Sequence, residues 1–399
     1  MNLQSRVRGH FVADRVDYRE GAAAAAAVAA AHAGSVDVEA RFPAEALAAV
    51  RAARLLSPLI PTSLGGDGAT ISDVVDVCYT LARGCASTGM IYAMHQIMVA
   101  CLVRHAASEA WSRELQRRIA DEQLLLASST TDGKGGGDLR NSSCAVTRQG
   151  STLELTKSAT VMSYGAQADA ILTTARRSPE AATSDQVLLA VTKEQYALEH
   201  LVGWDTLGMR GTCSAGFTLR TRIATDQVFA EPYQQINART VLPVAHLTWS
   251  GVWAGIAAGA VERARGFVRG AARGQAGQLP PGAAHLTRAA ATLGALRGMI
   301  ASALSRYEAL AAGGEQLEAL EFQSAMNLLK VNASEMAIAT VMSALQASGL
   351  SGYRNDGASS VGRHLRDVLS SSIMINNDRI LANVATATLL TETPVWLRD

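Results

Sequence analysis

A chain of 399 residues exceeds a typical single domain and has the length for one large core or two to three modules. With 36 Lys and Arg against 35 Asp and Glu, its formal net charge of +1 excludes the basic footprint of a nucleic-acid binder. Five cysteines, Cys78, Cys85, Cys101, Cys144 and Cys213, are scattered without C-x-x-C pairing or nearby histidines, which argues for a reducing compartment and against a disulfide framework or metal site.

The opening stretch MNLQSRVRGHFVADRVDYREG holds no continuous apolar run of a secretory leader, and the later apolar runs read as too short or too interrupted to span a bilayer. A cytoplasmic protein with no membrane partner is expected. The alanine tract over 21–33 predicts a helix packed closely on its neighbours, because alanine is the best helix former. Further helices are predicted over 43–56, 72–86, 90–105 and 110–120, with the proline- and glycine-rich loop 57–68 between the first two. After Glu122 the texture changes to short runs rich in Thr, Val, Leu and Ile, and strands are predicted over 124–130, 143–147, 152–155, 170–174, 186–191 and 217–223. Long apolar-periodic segments return beyond Pro232, over 247–271, 285–312, 315–348 and 356–390, with Pro280-Pro281 marking a loop. The expectation is an α+β chain of three parts: a helical domain over 1–123, a β-barrel-like domain over 124–232 and a helical bundle over 233–399.

Leu207 to Thr212, LGMRGT, reads as a glycine-punctuated turn between extended segments, with two glycines that let the backbone approach a bound group closely. In company with other stretches it resembles the acyl-CoA dehydrogenase flavoprotein superfamily, whose middle domain carries a similar L-G-x-R-G-T/S-x-S segment. TDGKGGGD at 131–138 sits where that family has T-E-P-x-x-G-S-D, and the resemblance places Ser129, Thr130 and Thr131 along the flavin pyrimidine edge. The family serine that helps hold a thioester tail falls on Gly137, so that substrate contact is lost. VMSYG at 161–165 matches W-I-T-N-G, which puts Val161 where a tryptophan covers the flavin ring and Ser163 where a hydroxyl approaches flavin N5. RGQAG at 273–277 is a degenerate R-x-x-F-G, making Arg273 the implied ligand of a neighbouring subunit's FAD diphosphate. QASGLSGY at 346–353 matches Q-x-x-G-G-x-G-Y apart from Leu350, and assigns Gln346 and Gly349 to the adenosine half of FAD across a subunit interface. The resemblance implies the family fold with a C-terminal four-helix bundle, FAD as cofactor and a homodimer or homotetramer.

The expected chemistry is interrupted. The family's catalytic glutamate lies nine residues beyond the arginine of an R-D pair, and counting from Arg366 arrives at Ile375, which cannot accept a proton. The alternative base and its arginine fall on Val252 and Trp253. Asp378, three residues past Ile375, and His95, on an apolar segment, are the substitute candidates, with His364 behind them. Asn376 and Asn377 are expected to orient a substrate carbonyl, and Val252, Trp253, Ile373 and Ile375 to form an apolar pocket. Three functions follow: an FAD-dependent oxidoreductase of an acyl thioester carried by coenzyme A or an acyl carrier protein; a flavin-dependent monooxygenase fed by a flavin reductase; or a non-catalytic flavin-binding scaffold.

Overall fold

The computed structural model describes residues 16–132, 141–273, 278–311, 315–390 and 395–396. Five helices come first: α1 (Arg19–Val38), α2 (Ala44–Ala52), α3 (Ile71–Gly84), α4 (Ala86–His105) and α5 (Ala110–Glu122). The alanine tract is the middle of α1, and Ala22, Ala25, Ala29 and Ala33 are its buried stripe, spaced one turn apart so that the helix can lie close to its neighbours. A capping box starts α3, where the Thr70 hydroxyl accepts from the Asp73 amide and the Asp73 carboxylate accepts from the Thr70 amide. Helix α2 ends at Ala52, short of the predicted residue 56, and Arg54 beyond it adopts a left-handed backbone.

The strands build two sheets. One has the order β1 (Leu126–Ser129), β4 (Ala170–Arg176), β5 (Gln186–Thr192), with β1 parallel to β4 and β4 antiparallel to β5. The other is antiparallel in the order β2 (Thr147–Gln149), β3 (Thr152–Ala159), β7 (Gly216–Ala224), β6 (Tyr196–Val202). The second strand is displaced from its predicted place, since Ala145 makes only an isolated bridge to Arg176 and the ladder begins at Thr147. Strand β6 begins before the extended segment expected ahead of the LGMRGT turn, because its residues lack the alternating apolar contrast that marks a half-buried strand.

The chain then returns to helix: α6 (Tyr233–Ile236), α7 (Leu242–Arg273), α8 (Ala283–Ala311), α9 (Leu320–Tyr353), α10 (Gly362–Ile373) and α11 (Asn377–Leu390). The predicted continuous segment over 356–390 is two helices, broken at Met374–Asn376 where Ile375 is left-handed with φ +49°. Helix α7 packs against both α9 and α3, so the two helical regions share one hydrophobic core that also takes in Leu126, Leu172, Leu189 and Leu219 of the sheets. Contrary to the expectation from sequence, four helical segments, Arg19–Val38, Ala86–His105, Tyr233–Arg273 and Leu320–Tyr353, are long and apolar enough by length and composition to cross a membrane. In the two most shielded, 89% of the apolar window is buried inside the fold.

Candidate functional site

The end of β1 is held by charge. Lys157 stands on the inward face of β3, between Leu155 and Ala159, and is fully buried. Its ammonium donates to the Ser129 carbonyl at 2.8 Å, the Thr174 carbonyl at 2.9 Å and the Thr174 hydroxyl at 3.1 Å, and pairs with Asp132 at 3.1 Å. Asp132 also accepts from the hydroxyls of Ser142 and Ser143 and from the Ser143 amide. Burial pushes the Asp132 pKa up, but Lys157 and the Ser143 amide outweigh it and hold the carboxyl below its ordinary range. The strand end that carries Ser129, Thr130 and Thr131 is therefore tied at its carbonyls, while the buried Ser129 hydroxyl has no partner among the described residues.

Beyond β3 the chain crosses to a second set of hydroxyls. Ser163 Oγ lies 2.8 Å from Ser214 Oγ, Ser214 Oγ lies 2.8 Å from Thr212 Oγ1, and Thr212 donates to the Met209 carbonyl. Tyr164, left-handed at φ +42°, anchors the segment by donating its hydroxyl to the Leu126 carbonyl. Val161 is 45% exposed beside this buried chain of hydroxyls. An open apolar side chain next to a held hydroxyl suits one face and one polar edge of a flat heteroaromatic ring.

The close approaches made by the LGMRGT turn are to the protein's own atoms, backbone at Gly208 and side chain at Gly211. A Cβ on Gly208 would lie 2.2 Å from the Arg366 carbonyl oxygen, and one on Gly211 would lie 2.3 Å from Val36 Cγ1. The Met209 amide donates to Asp367 Oδ1 at 2.6 Å, and Arg366 binds both carboxylate oxygens of Asp37 and the Leu207 carbonyl. The turn and the R-D pair thus form a three-way joint between α1, the sheets and α10. Gly208→Ala is expected to destabilise the protein by about 1–3 kcal/mol through overpacking at that joint, read as a lower urea midpoint.

The candidate bases are placed elsewhere. His95 is fully buried, accepting at Nδ1 from the Leu126 amide (3.0 Å), so Nε2–H donates to the Leu56 carbonyl (2.7 Å). Burial lowers its pKa to about 4, and both nitrogens are occupied by backbone, so it is a structural bridge from α4 to β1. Asn376 is exposed and caps α11, its Oδ1 accepting from the amides of Asp378 and Arg379. Asp378 is exposed in the first turn of α11, where a carboxylate favours the helix N-terminus. His364 is 6% exposed with Nδ1 unpartnered among the described residues, and burial lowers its pKa to about 3.

The residues of the expected apolar pocket differ in exposure. Val252 and Trp253 are fully buried in α7, whereas Ile373 is 71% exposed and Ile375 is intermediate. Trp253 instead lies under Lys330 of α9, whose ammonium is 5.6 Å from its ring centroid. Lys330 donates to the carbonyls of Ser371 and Ile375 and to Asn377 Oδ1, all within 2.9 Å, and so clamps the turn that carries Ile375. Burial lowers its pKa to about 8. Asn377 is 8% exposed and also bonds Ser334, so it serves the clamp rather than an open pocket.

Arg273, at the end of α7, and Gln346, on α9, are both exposed. Gly349 is exposed with φ +54° and breaks the helical backbone of α9. Gly137 and the rest of 133–140, like 274–277 of RGQAG, lie outside the described residues. Lys157 and Lys330 escaped the sequence reading, although each left a signal: a lysine in phase with the inward positions of a strand or with the buried stripe of a helix.

Among curated protein sequences none is significantly similar to this chain. Solved structures with the same fold include FMN-bound TdsC, a dibenzothiophene monooxygenase from Paenibacillus sp. A11-2, at TM-score 0.79 and 19% identity over 94% of this chain and 98% of that one. Methanesulfinate monooxygenase MsuC from Pseudomonas fluorescens aligns at TM-score 0.80 and 20% identity, covering 95% and 98%. KijD3 in complex with FMN and an amino-keto sugar nucleotide aligns at TM-score 0.81 and 20% identity, covering 94% of each chain. The family model for the acyl-CoA dehydrogenase N-terminal domain matches residues 17–123, and that for the acyl-CoA dehydrogenase C-terminal domain matches residues 247–373. With more than half of its residues matched at both ends of the fold, the chain belongs to the acyl-CoA dehydrogenase family.

Proposed function

We propose that this protein is a flavin-dependent monooxygenase on the acyl-CoA dehydrogenase fold, one that takes up reduced flavin from a separate reductase. The observation that carries the reading is the missing base. Ile375 stands at the family's glutamate position, Val252 and Trp253 are sealed in the core, and Asp378 is turned to solvent at a helix start. A thioester dehydrogenase needs a carboxylate at the substrate's α-carbon, whereas an oxygenase does not. TdsC and MsuC, which share the fold, are monooxygenases, and TdsC and KijD3 were solved with FMN.

When bound, the reduced flavin supplies two electrons, so that one atom of dioxygen enters the substrate and the other leaves as water. Ser163, backed by Ser214 and Thr212, would hold a hydroxyl at the ring edge, and Val161 would lie against the ring face. Ser129, Thr130 and Thr131 would meet the pyrimidine edge, on a strand end fixed by Lys157. The resemblance implies FAD, with Arg273, Gln346 and Gly349 reaching it across a subunit boundary, and their exposure toward the C-terminal ends of α7 and α9 supports that arrangement. A homodimer or homotetramer is proposed on the same ground, since Leu350, Tyr353, Ile373 and Leu389 are each more than 70% exposed.

The test is to mix the full chain with chemically reduced FMN or FAD and supply oxygen-18 gas with indole or methanesulfinate. Incorporation of the label into an organic product is expected, together with no bleaching of the protein mixed with oxidised flavin when acyl-CoA thioesters are added anaerobically. Anaerobic bleaching by a thioester would overturn the reading. Asp378→Asn is expected to leave oxygenation within about twofold of the native rate, because a capping-turn carboxylate contributes only a few tenths of a kcal/mol to the helix.

A further inference from the structure

The joint between α1, the 204–212 loop and α10 encloses a second site. A cleft of about 660 Å³ opens there, lined by Arg210, Arg263, Arg363 and Arg366 but by only one carboxylate, Asp37. Two of the four cations are neutralised locally. Arg366 binds Asp37 through its two terminal guanidinium nitrogens, and Arg210 pairs with Asp205 at 2.9 Å. Arg263 and Arg363 have no ion-pair partner among the described residues: Arg263 donates to the Ala358 carbonyl at 3.0 Å and Arg363 to the Gly84 carbonyl at 3.4 Å. Burial, and then the nearby Arg363, lower the pKa of Arg263, as expected for guanidiniums drawn together, and the buried Asp367 one turn along α10 is the carboxylate whose charge Arg363 also feels.

Three further features converge on the same cleft. Arg363 and His364 sit in the first turn of α10, a helix of 12 residues whose cap residue, Val361, offers no side-chain acceptor to the first amides. The positive end of the helix is therefore left open toward the two arginines. His364 lines the cleft with only 6% of its surface exposed, and its buried Nδ1 has no partner among the described residues. Ser360 and Asn355 add neutral donors at the mouth.

We propose that this cleft is a binding site for a phosphate-bearing small molecule, with Arg263 and Arg363 as the charge-pairing groups and the start of α10 as the amide donor. Two unpaired guanidiniums and a helix N-terminus match a group with two negative charges, and planar forks with parallel N–H bonds suit phosphate oxygens. The volume is that of a pocket for a whole small ligand, so the phosphate is a handle on a larger molecule such as a nucleoside diphosphate. The site shares no residue with the hydroxyl chain of Ser163, Ser214 and Thr212, and it stands whether or not the protein is an oxygenase.

Calorimetric titration of the full chain with inorganic phosphate, pyrophosphate and a nucleoside diphosphate, at fixed ionic strength and without added flavin, tests the assignment. At least one of the three is expected to bind the native protein, and Arg363→Gln and Arg263→Gln are each expected to weaken it by about tenfold or more. Gly34→Phe supplies a variant that keeps every arginine pairing: Gly34 lines the cleft, and a Cβ there meets nothing within 4 Å. It should block the ligand while leaving the unfolding midpoint within a few degrees of native. Arg222→Gln, an exposed cation on β7, should bind as the native chain does. The proposal is overturned if none of the three ligands binds at concentrations up to about 10 mM, or if Gly34→Phe binds as tightly as native.

Discussion

Lys157→Met is expected to be among the most damaging single substitutions in the β domain, lowering stability by about 3–5 kcal/mol, because it strands Asp132 as a buried charge. Asp132 is 7% exposed, and its hydrogen bonds from Ser142 and Ser143 would survive without the cation that neutralises it. The Ser129 and Thr174 carbonyls would lose their shared donor at the same time. Urea denaturation measures the loss, and the double variant Lys157→Met with Asp132→Asn should recover a large part of it, since the damage lies in the unpaired charge more than in the lost bond. Equal instability of the single and double variants would show that packing of the lysine stem dominates instead. The single variant is also expected to bind flavin about tenfold more weakly or worse, because the strand end that carries Ser129 to Thr131 is no longer fixed.

Acid is expected to begin destabilising this protein below about pH 6, above the range in which an ordinary carboxylate takes up a proton. His95, His246 and His364 are buried, and burial lowers their pKa values to about 4, 4 and 3. In the unfolded chain an imidazole titrates near ~6.5, so the stability from keeping these rings neutral is complete above that pH and is withdrawn as pH falls toward ~4. For His95 the reason is visible: the Leu126 amide already points at Nδ1, leaving no room for a second proton. At ~1.4 kcal/mol per pH unit, each histidine withdraws about 3 kcal/mol by pH 4. Asp367 has the opposite sign. Its burial raises the folded pKa to about 6, so it adds stability as pH falls from there, by about 3 kcal/mol at most. Three groups against one leave a net loss of roughly 6 kcal/mol, comparable to the whole stability of an ordinary domain. The urea midpoint should hold between pH 8 and 7 and drop steeply below about 6. A midpoint that rises between pH 6.5 and 5 would contradict the assignment, and His246→Gln should make the acid limb shallower.

The order of helices, strands and helices, and the family, are legible from periodicity and a handful of motifs, because local pattern alone decides whether a segment repeats every 3.6 or every two residues. The isoleucine at the place where the resemblance puts the family's base is legible too, since counting from Arg366 to Ile375 needs no coordinates. The purpose of the LGMRGT turn is not. Its glycines suggest an approach to a ligand, and only the packed structure reveals that the approaching group is the backbone of α10, more than 150 residues away. The same holds for the replacement bases. Asp378, His95 and His364 are residue types with the right chemistry near the right place in the chain, but exposure, hydrogen-bond partners and burial are properties of the tertiary surroundings. Lys157 and Lys330 mark the boundary between the two kinds of knowledge. A charged residue in phase with an apolar stripe announces from the sequence alone that something must satisfy it, whereas its partners, Asp132 in one case and the Ile375 turn in the other, are chosen by contacts between segments that only the folded chain brings together.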